Sequence, residues 1–159
     1  MLHQHKRSHK SKSDDWWTPI EIFDKLTTEY NFYPKLDAAA SYRNSVCTYF
    51  IDRKSDALKI DWYLHNKRVP VWLNPPNKQL GKFITRAYQQ FKENRIKIMM
   101  IVPLNVQSSD SWWKNVQLPM EAGEKIFVRP IHKRIAFMNH GHKGQSSING
   151  YCVVIFGRK

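Results

Sequence analysis

The feature that most constrains this chain is the stretch Val69 to Val102. A short apolar run, Val69 to Leu73, stops at Asn74, and Pro75-Pro76 forbids its continuation as a strand. Leu80, Phe83, Ile84, Ala87, Tyr88 and Phe91 then recur at helical spacing. A second apolar run, Ile96 to Val102, follows, with apolar side chains on both faces as a sheet covered on both sides requires. This is a strand, helix, strand unit built around a sharp polar tip.

Other segments extend the pattern. Thr18, Pro19 and Glu21 read as N-cap, first residue and capping-box acid of a helix whose apolar stripe is Ile22, Phe23, Leu26 and Tyr30. Leu36-Asp37 reads as a strand running into the small residues Ala38, Ala39 and Ala40, and Trp112-Trp113 as part of a later helix. Lys125 to Val128, Arg134 to Met138 and Tyr151 to Phe156 read as strands, the last two as an antiparallel hairpin. The expectation is an α/β fold of three layers: a mostly parallel sheet, helices on both faces and an antiparallel C-terminal hairpin. Residues 1–13, polar and basic with His3, His5 and His9, read as a disordered arm, and residues 14–159 as one domain.

The 159 residues carry a formal net charge of +13, of which the arm supplies four cations and no acid. A basic body rich in aromatics favours a polyanion, with nucleic acid the default partner. Cys47 and Cys152 cannot build a disulfide framework and read as small packed hydrophobes in a reducing compartment. No apolar run is long enough to span a bilayer, and the polar N-terminus gives no signal peptide. A cytoplasmic protein without a membrane partner, in a prokaryotic or virus-infected cell, is expected. His140 and His142 lack further ligands at metal spacing, so no metal is expected.

Chemistry concentrates at Asn74-Pro75-Pro76. Ligands of open α/β sheets bind beyond the carboxyl ends of the strands, and an Asn there offers an amide oxygen to the crevice. The prolines stiffen the backbone, so the Pro75 carbonyl is a second fixed acceptor. Two acceptors suit an exocyclic amine that must leave conjugation and attack a methyl electrophile, a task of position and electrostatics. The competing reading is a Pro-Pro loop that merely ends a strand. The absence of a G-x-G-x-x-G turn counts against a dinucleotide-dependent oxidoreductase.

The segments Trp17-Thr18-Pro19 with Phe23, Leu36-Asp37-Ala38-Ala39-Ala40 with Asn44, Asp56-Ala57-Leu58 with Trp62, Asn74-Pro75-Pro76, Val102-Pro103 with Trp112-Trp113, and Arg134-Ile135-Ala136-Phe137 occur in that order. In this the chain resembles the phage-type DNA N-6-adenine methyltransferase family from Trp16 to Phe156. The resemblance implies a Rossmann-like fold, S-adenosyl-L-methionine (AdoMet) as methyl donor, and double-stranded DNA as substrate. It makes Asn74, Pro75 and Pro76 catalytic. It gives Thr18, Pro19, Asp37, Ala38, Ala39 and Asp56 to the cofactor, with Asp52 a rival of Asp56. It gives Asn77, Arg134, Trp112 and Phe137 to the substrate. The family carries an aromatic after Asn-Pro-Pro, and here that position is Asn77. The flipped base must then stack elsewhere, on Phe137 first or on Trp112 or Trp72, or be held less well.

Other readings stay open: a methyltransferase acting on RNA, on cytosine N4 or on a protein amide, or a nucleic-acid-binding relative without catalysis. Little chain remains after the core for a target-recognition domain. Specificity is then relaxed, or supplied by a homodimer or a partner subunit.

Overall fold

A computed structural model describes residues 16–139, 142–144 and 146–158. The arm at 1–13 and His140 lie outside the described residues. In chain order the elements are β1 (Trp16–Trp17), α1 (Ile20–Glu29), β2 (Leu36–Asp37), β3 (Tyr49–Phe50), β4 (Tyr63–Leu64), β5 (Lys67–Arg68) and β6 (Val71–Leu73). A 3-10 turn (Asn77–Gln79) leads into α2 (Leu80–Asn94), followed by β7 (Ile98–Pro103) and a second 3-10 turn (Leu104–Ser108). Next come α3 (Asp110–Trp112), a π-helical turn (Trp113–Gln117), α4 (Leu118–Glu121), β8 (Ile126–Pro130), β9 (Met138–Asn139), β10 (His142–Lys143) and β11 (Tyr151–Phe156).

The main sheet has six strands in the order β3-β2-β6-β7-β11-β8. The pairs β3/β2, β2/β6 and β6/β7 are parallel, while β11 is antiparallel to both β7 and β8. One reversed strand therefore stands among five that share a direction.

Alternation along the strands divides the core. Ile98, Met100 and Val102 of β7, with Cys152, Val154 and Phe156 of β11, pack against Phe83, Ile84 and Ala87 of α2 and against Trp112 and Val116. Met99 and Ile101, with Val153 and Ile155, pack on the other face against Leu26 of α1, against Tyr30 at its C-terminal cap and against Ile135 and Phe137. Helices thus cover both faces, and every residue of β6, β7 and β11 is buried. Both cysteines are free thiols, with Cys152 fully in the core.

Two expectations are corrected. The expected hairpin of 134–138 with 151–156 does not form. Both edges of β11 are already taken, by β7 and β8, so no ladder position is left for 134–138. Ile135 and Phe137 do point inward and Arg134 outward, so the alternation is real. Their backbone, however, bonds to 144–147: Gly144 N–H donates to the Phe137 carbonyl and Ser147 N–H to that of Ile135. Only Met138–Asn139 is strand, pairing with β1 and β10 in a separate three-stranded sheet. The second correction is the start of α1, where Pro19 is the N-cap and no side chain caps the helix. The Thr18 hydroxyl is engaged elsewhere.

Candidate active site

The parallel register gathers the polar residues singled out above on one edge. Asp37 ends β2 opposite Trp72 of β6, and Leu73, the last residue of β6, lies opposite Met100 of β7. The Ala38 N–H donates to the Trp72 carbonyl and the Ile51 N–H to that of Asp37, so Ala38, Asp52 and Asn74 all lie just beyond carboxyl ends of strands. Because β11 runs the other way, its first residue, Tyr151, pairs with Pro103 at this same edge.

Asn74 is half-buried there. Its Nδ2 donates to the Thr18 hydroxyl at 3.1 Å and lies 3.5 Å from the Trp16 carbonyl oxygen. A carbonyl only accepts, so the nitrogen is the end of the amide that faces this strand. The acceptor Oδ1 is turned the other way. Pro75 is buried and Pro76 half-buried, and from Pro76 the chain turns into the 3-10 segment that leads to α2. Thr18 and Asn74, given to different roles from the sequence, are direct neighbours.

Asp37 is 3% exposed. Its Oδ1 accepts from the Ala39 N–H at 3.3 Å and its Oδ2 from the Val46 N–H at 3.2 Å. Burial pushes its pKa up to about 7, against the pull of those two bonds. The carboxylate ties the small-residue turn to the 45–47 segment and has no cationic partner among the described residues. Ala38 is buried and Ala39 half-buried beside it.

Asp56 sits in left-handed backbone at φ +56°. It accepts from the Leu58 N–H and pairs with Lys59 at 3.1 Å, and the bond from Lys59 does most to lower its pKa. The turn it belongs to is anchored from below. Nε1 of the fully buried Trp62 donates to the Ala57 carbonyl at 2.8 Å, and the Trp62 N–H donates to Oε1 of Gln90 at 2.9 Å. Sequence reasoning missed Gln90, which is 0% exposed and also donates from Nε2 to Asp61 at 2.9 Å. Its only signal was a polar residue on the inward stripe of α2. Asp52, the rival acid, is spent on its own turn, accepting from the Ser55 N–H at 2.7 Å.

The substrate-side residues divide sharply. Asn77 and Arg134 are exposed. Trp112 is 2% exposed in the core against α2, and Trp72, 0% exposed, meets Phe23 edge-on. Phe137 is 6% exposed and packs on Tyr151 with ring centroids 4.9 Å apart. None of these three rings presents an open face. Among the described residues no group of three or more His, Cys, Asp or Glu could hold a metal ion, and no helix is long and apolar enough to cross a membrane.

A mostly parallel sheet with helices on both faces, and with Asn74 and the buried Asp37 at the carboxyl edge of its strands, defines an α/β protein of the class whose ligands bind beyond that edge. The model of the family described as DNA N-6-adenine-methyltransferase (Dam) matches residues 5–159, and the chain belongs to that family. It is 36% identical over 115 residues to a DNA N-6-adenine-methyltransferase of Escherichia phage T1, a match covering 72% of this chain and 44% of that protein. It is 28% identical over 131 residues to the DNA N-6-adenine-methyltransferase of Haemophilus phage HP1 (strain HP1c1), covering 82% of this chain and 70% of that protein. The chain thus spans less than half the length of the T1 relative. Among solved structures it matches a precorrin 8w decarboxylase of Methanobacterium thermoautotrophicum with TM-score 0.44 and 11% identity, over 88% of this chain and 91% of that one.

Proposed function

We propose that residues 14–159 form a Rossmann-like AdoMet-dependent methyltransferase domain that methylates N6 of adenine in double-stranded DNA. The names of the two phage relatives support the reaction. The observation that carries the assignment of residues is the Asn74 amide, whose nitrogen is held by Thr18 so that its oxygen is the end left for a substrate.

The residues at the carboxyl edge fit a cationic cofactor. Asp37 is a buried carboxylate with no cationic partner among the described residues, and a positive ligand beside it would favour its ionised form. Thr18, Pro19, Ala38, Ala39 and Asp56 would border the same ligand, the alanines by permitting close backbone approach. When bound, AdoMet supplies a methyl group on a positively charged sulfur. The chain's own part is to present the amine. Asn74 Oδ1 accepts one N–H of the adenine amino group and the Pro75 carbonyl accepts the other, which favours the pyramidal nitrogen that can attack. An amide oxygen is no base at neutral pH, so the proton leaving the methylated amine passes to water.

The net charge of +13 supports DNA as the substrate, through contacts to phosphates, and Arg134, which is exposed, would make one of them. A homodimer or a partner subunit that contributes to target recognition fits the same reading.

The test is transfer of labelled methyl from AdoMet to unmethylated duplex DNA, followed by digestion to nucleosides. Label in N6-methyladenine is expected, together with loss of turnover but not of AdoMet binding in Asn74→Ala. Label in N4-methylcytosine, in RNA or in protein, or no transfer at all, would overturn the reading.

A further inference from the structure

A base that is methylated at its amino group must leave the duplex, and it then loses the stacking of its neighbours. An aromatic face at the site replaces part of that stacking. Asn77 has none, and Trp72, Trp112 and Phe137 have their faces committed to the core. We propose that Trp16 is the aromatic platform for the extruded base, an inference that rests on the DNA methyltransferase reading above.

Four observations place Trp16 in this role. Its carbonyl oxygen is 3.5 Å from Nδ2 of Asn74, so its residue borders the amide that meets the base amine. Trp16 is 38% exposed, while the next residue along the strand, Trp17, is half-buried on the opposite face. Its backbone is fixed by pairing with Asn139 in the small sheet. Its ring is backed by Gly144, where an added Cβ would stand 3.3 Å from Cζ3 of Trp16 and would collide with the Phe137 carbonyl oxygen. Glycine at 144 therefore lets the indole lie close against the backbone there. Tyr42 is more exposed, at 89%, but follows the small-residue turn beyond Asp37, and the side-chain bonds of Asn74 among the described residues run to Trp16 and Thr18 instead.

The proposal requires a purine whose amino group bonds to Oδ1 of Asn74 to reach back past the amide and lay its π-face on this indole. Position and stacking then come from two ends of one contact: the Trp16 carbonyl helps orient the amide, and the Trp16 ring holds the base.

The test compares wild type, Trp16→Ala and Trp16→Phe in full-length protein, measuring kcat and KM on unmethylated duplex DNA, AdoMet affinity by calorimetry, and the melting temperature. Stacking in single-strand binders implies a rise in the KM for DNA of roughly 10-fold or more in Trp16→Ala. AdoMet affinity should stay unchanged, and Trp16→Phe should recover most of the loss. Three results would overturn the inference: an unchanged KM for DNA in Trp16→Ala, a loss confined to AdoMet affinity, or a Phe variant no better than Ala. Absence of methyl transfer by the wild type would instead reject the underlying reading.

Discussion

The hydroxyl of Thr18 accepts a hydrogen bond of 3.1 Å from Nδ2 of Asn74, joining two residues 56 positions apart at the carboxyl edge of the sheet. The bond decides which end of the Asn74 amide is free. It also couples the segment proposed to border the methyl donor to the residue proposed to hold the acceptor.

Thr18→Val keeps the shape of the side chain and removes the acceptor. An unpaired buried donor costs about 1–3 kcal/mol, and partial exposure of Asn74 puts this site at the lower end, so kcat should fall about 10-fold. Thr18→Ser should retain activity, because its hydroxyl can accept the same bond. Steady-state kinetics with parallel melting curves check this. A Val variant with normal kcat and normal stability would show that the amide needs no anchor.

Asp37 gives the chain a predictable pH response. Burial raises its pKa from 3.8 to about 7, so the folded chain binds this proton more tightly than the unfolded chain does. The resulting stability is complete below about pH 4 and is lost as pH rises through about 7. AdoMet affinity should move the opposite way and strengthen over that interval, as Asp37 becomes an anion for the cationic ligand. Asp37→Asn should flatten both profiles. Its absolute stability will also drop, since an amide nitrogen cannot accept from the Ala39 or Val46 N–H, so the slopes are what should be compared. Calorimetric melting and AdoMet titration across this range provide them. Equal slopes in wild type and variant would place the titrating group elsewhere.

Local and strongly periodic signals carried most of the fold. The apolar run before Asn74, the stripe from Leu80 to Phe91 and the run from Ile96 are β6, α2 and β7. What failed depended on partners distant in sequence. Thr18 has the composition of a cap, but the nearer claim on its hydroxyl comes from Asn74. The alternation from Arg134 to Phe137 reports which side chains are buried, not which strand they pair with, and β11 had already found its partners in β7 and β8. Trp16 was legible only as a neighbour of a motif. The two-residue strand that aims its ring exists through pairing with Asn139, more than 120 positions away.

Gln90 should prove a hidden support of the cofactor side. Its Oε1 accepts from the Trp62 N–H and, at 3.1 Å, from Nδ2 of Asn94, and Trp62 in turn holds the Ala57 carbonyl next to Asp56. Gln90→Leu has similar volume but leaves a buried backbone N–H without an acceptor. A loss of roughly 2–3 kcal/mol in chemical denaturation is expected, beyond what its apolar surface restores. AdoMet affinity should fall less than in Asp37→Ala. A Leu variant as stable as wild type would mean that the Trp62 N–H finds another partner.

The position after Asn-Pro-Pro offers a way to add a second π-face. Asn77 is exposed at the first residue of its 3-10 turn, where its carbonyl accepts from the Leu80 N–H. A larger side chain meets no core at this position, so Asn77→Tyr should fold normally. If the extruded base lies beside Asn74, the new ring should lower the KM for DNA several-fold, within the roughly 1–3 kcal/mol that one stacked base contributes. The same substitution placed on Trp16→Ala should recover part of the lost affinity, because the two rings would serve one base. Phe137→Ala is the control for the buried alternative. Its ring is wedged against Tyr151, and truncation there opens a cavity that costs about 3–5 kcal/mol, so any loss of activity should come with a lower melting temperature. A Phe137 variant that raises KM at unchanged stability would transfer the stacking role to that residue. If Asn77→Tyr neither lowers KM alone nor rescues Trp16→Ala, the base is not held beside Asn74, and the crevice at the end of β6 is not a nucleobase pocket.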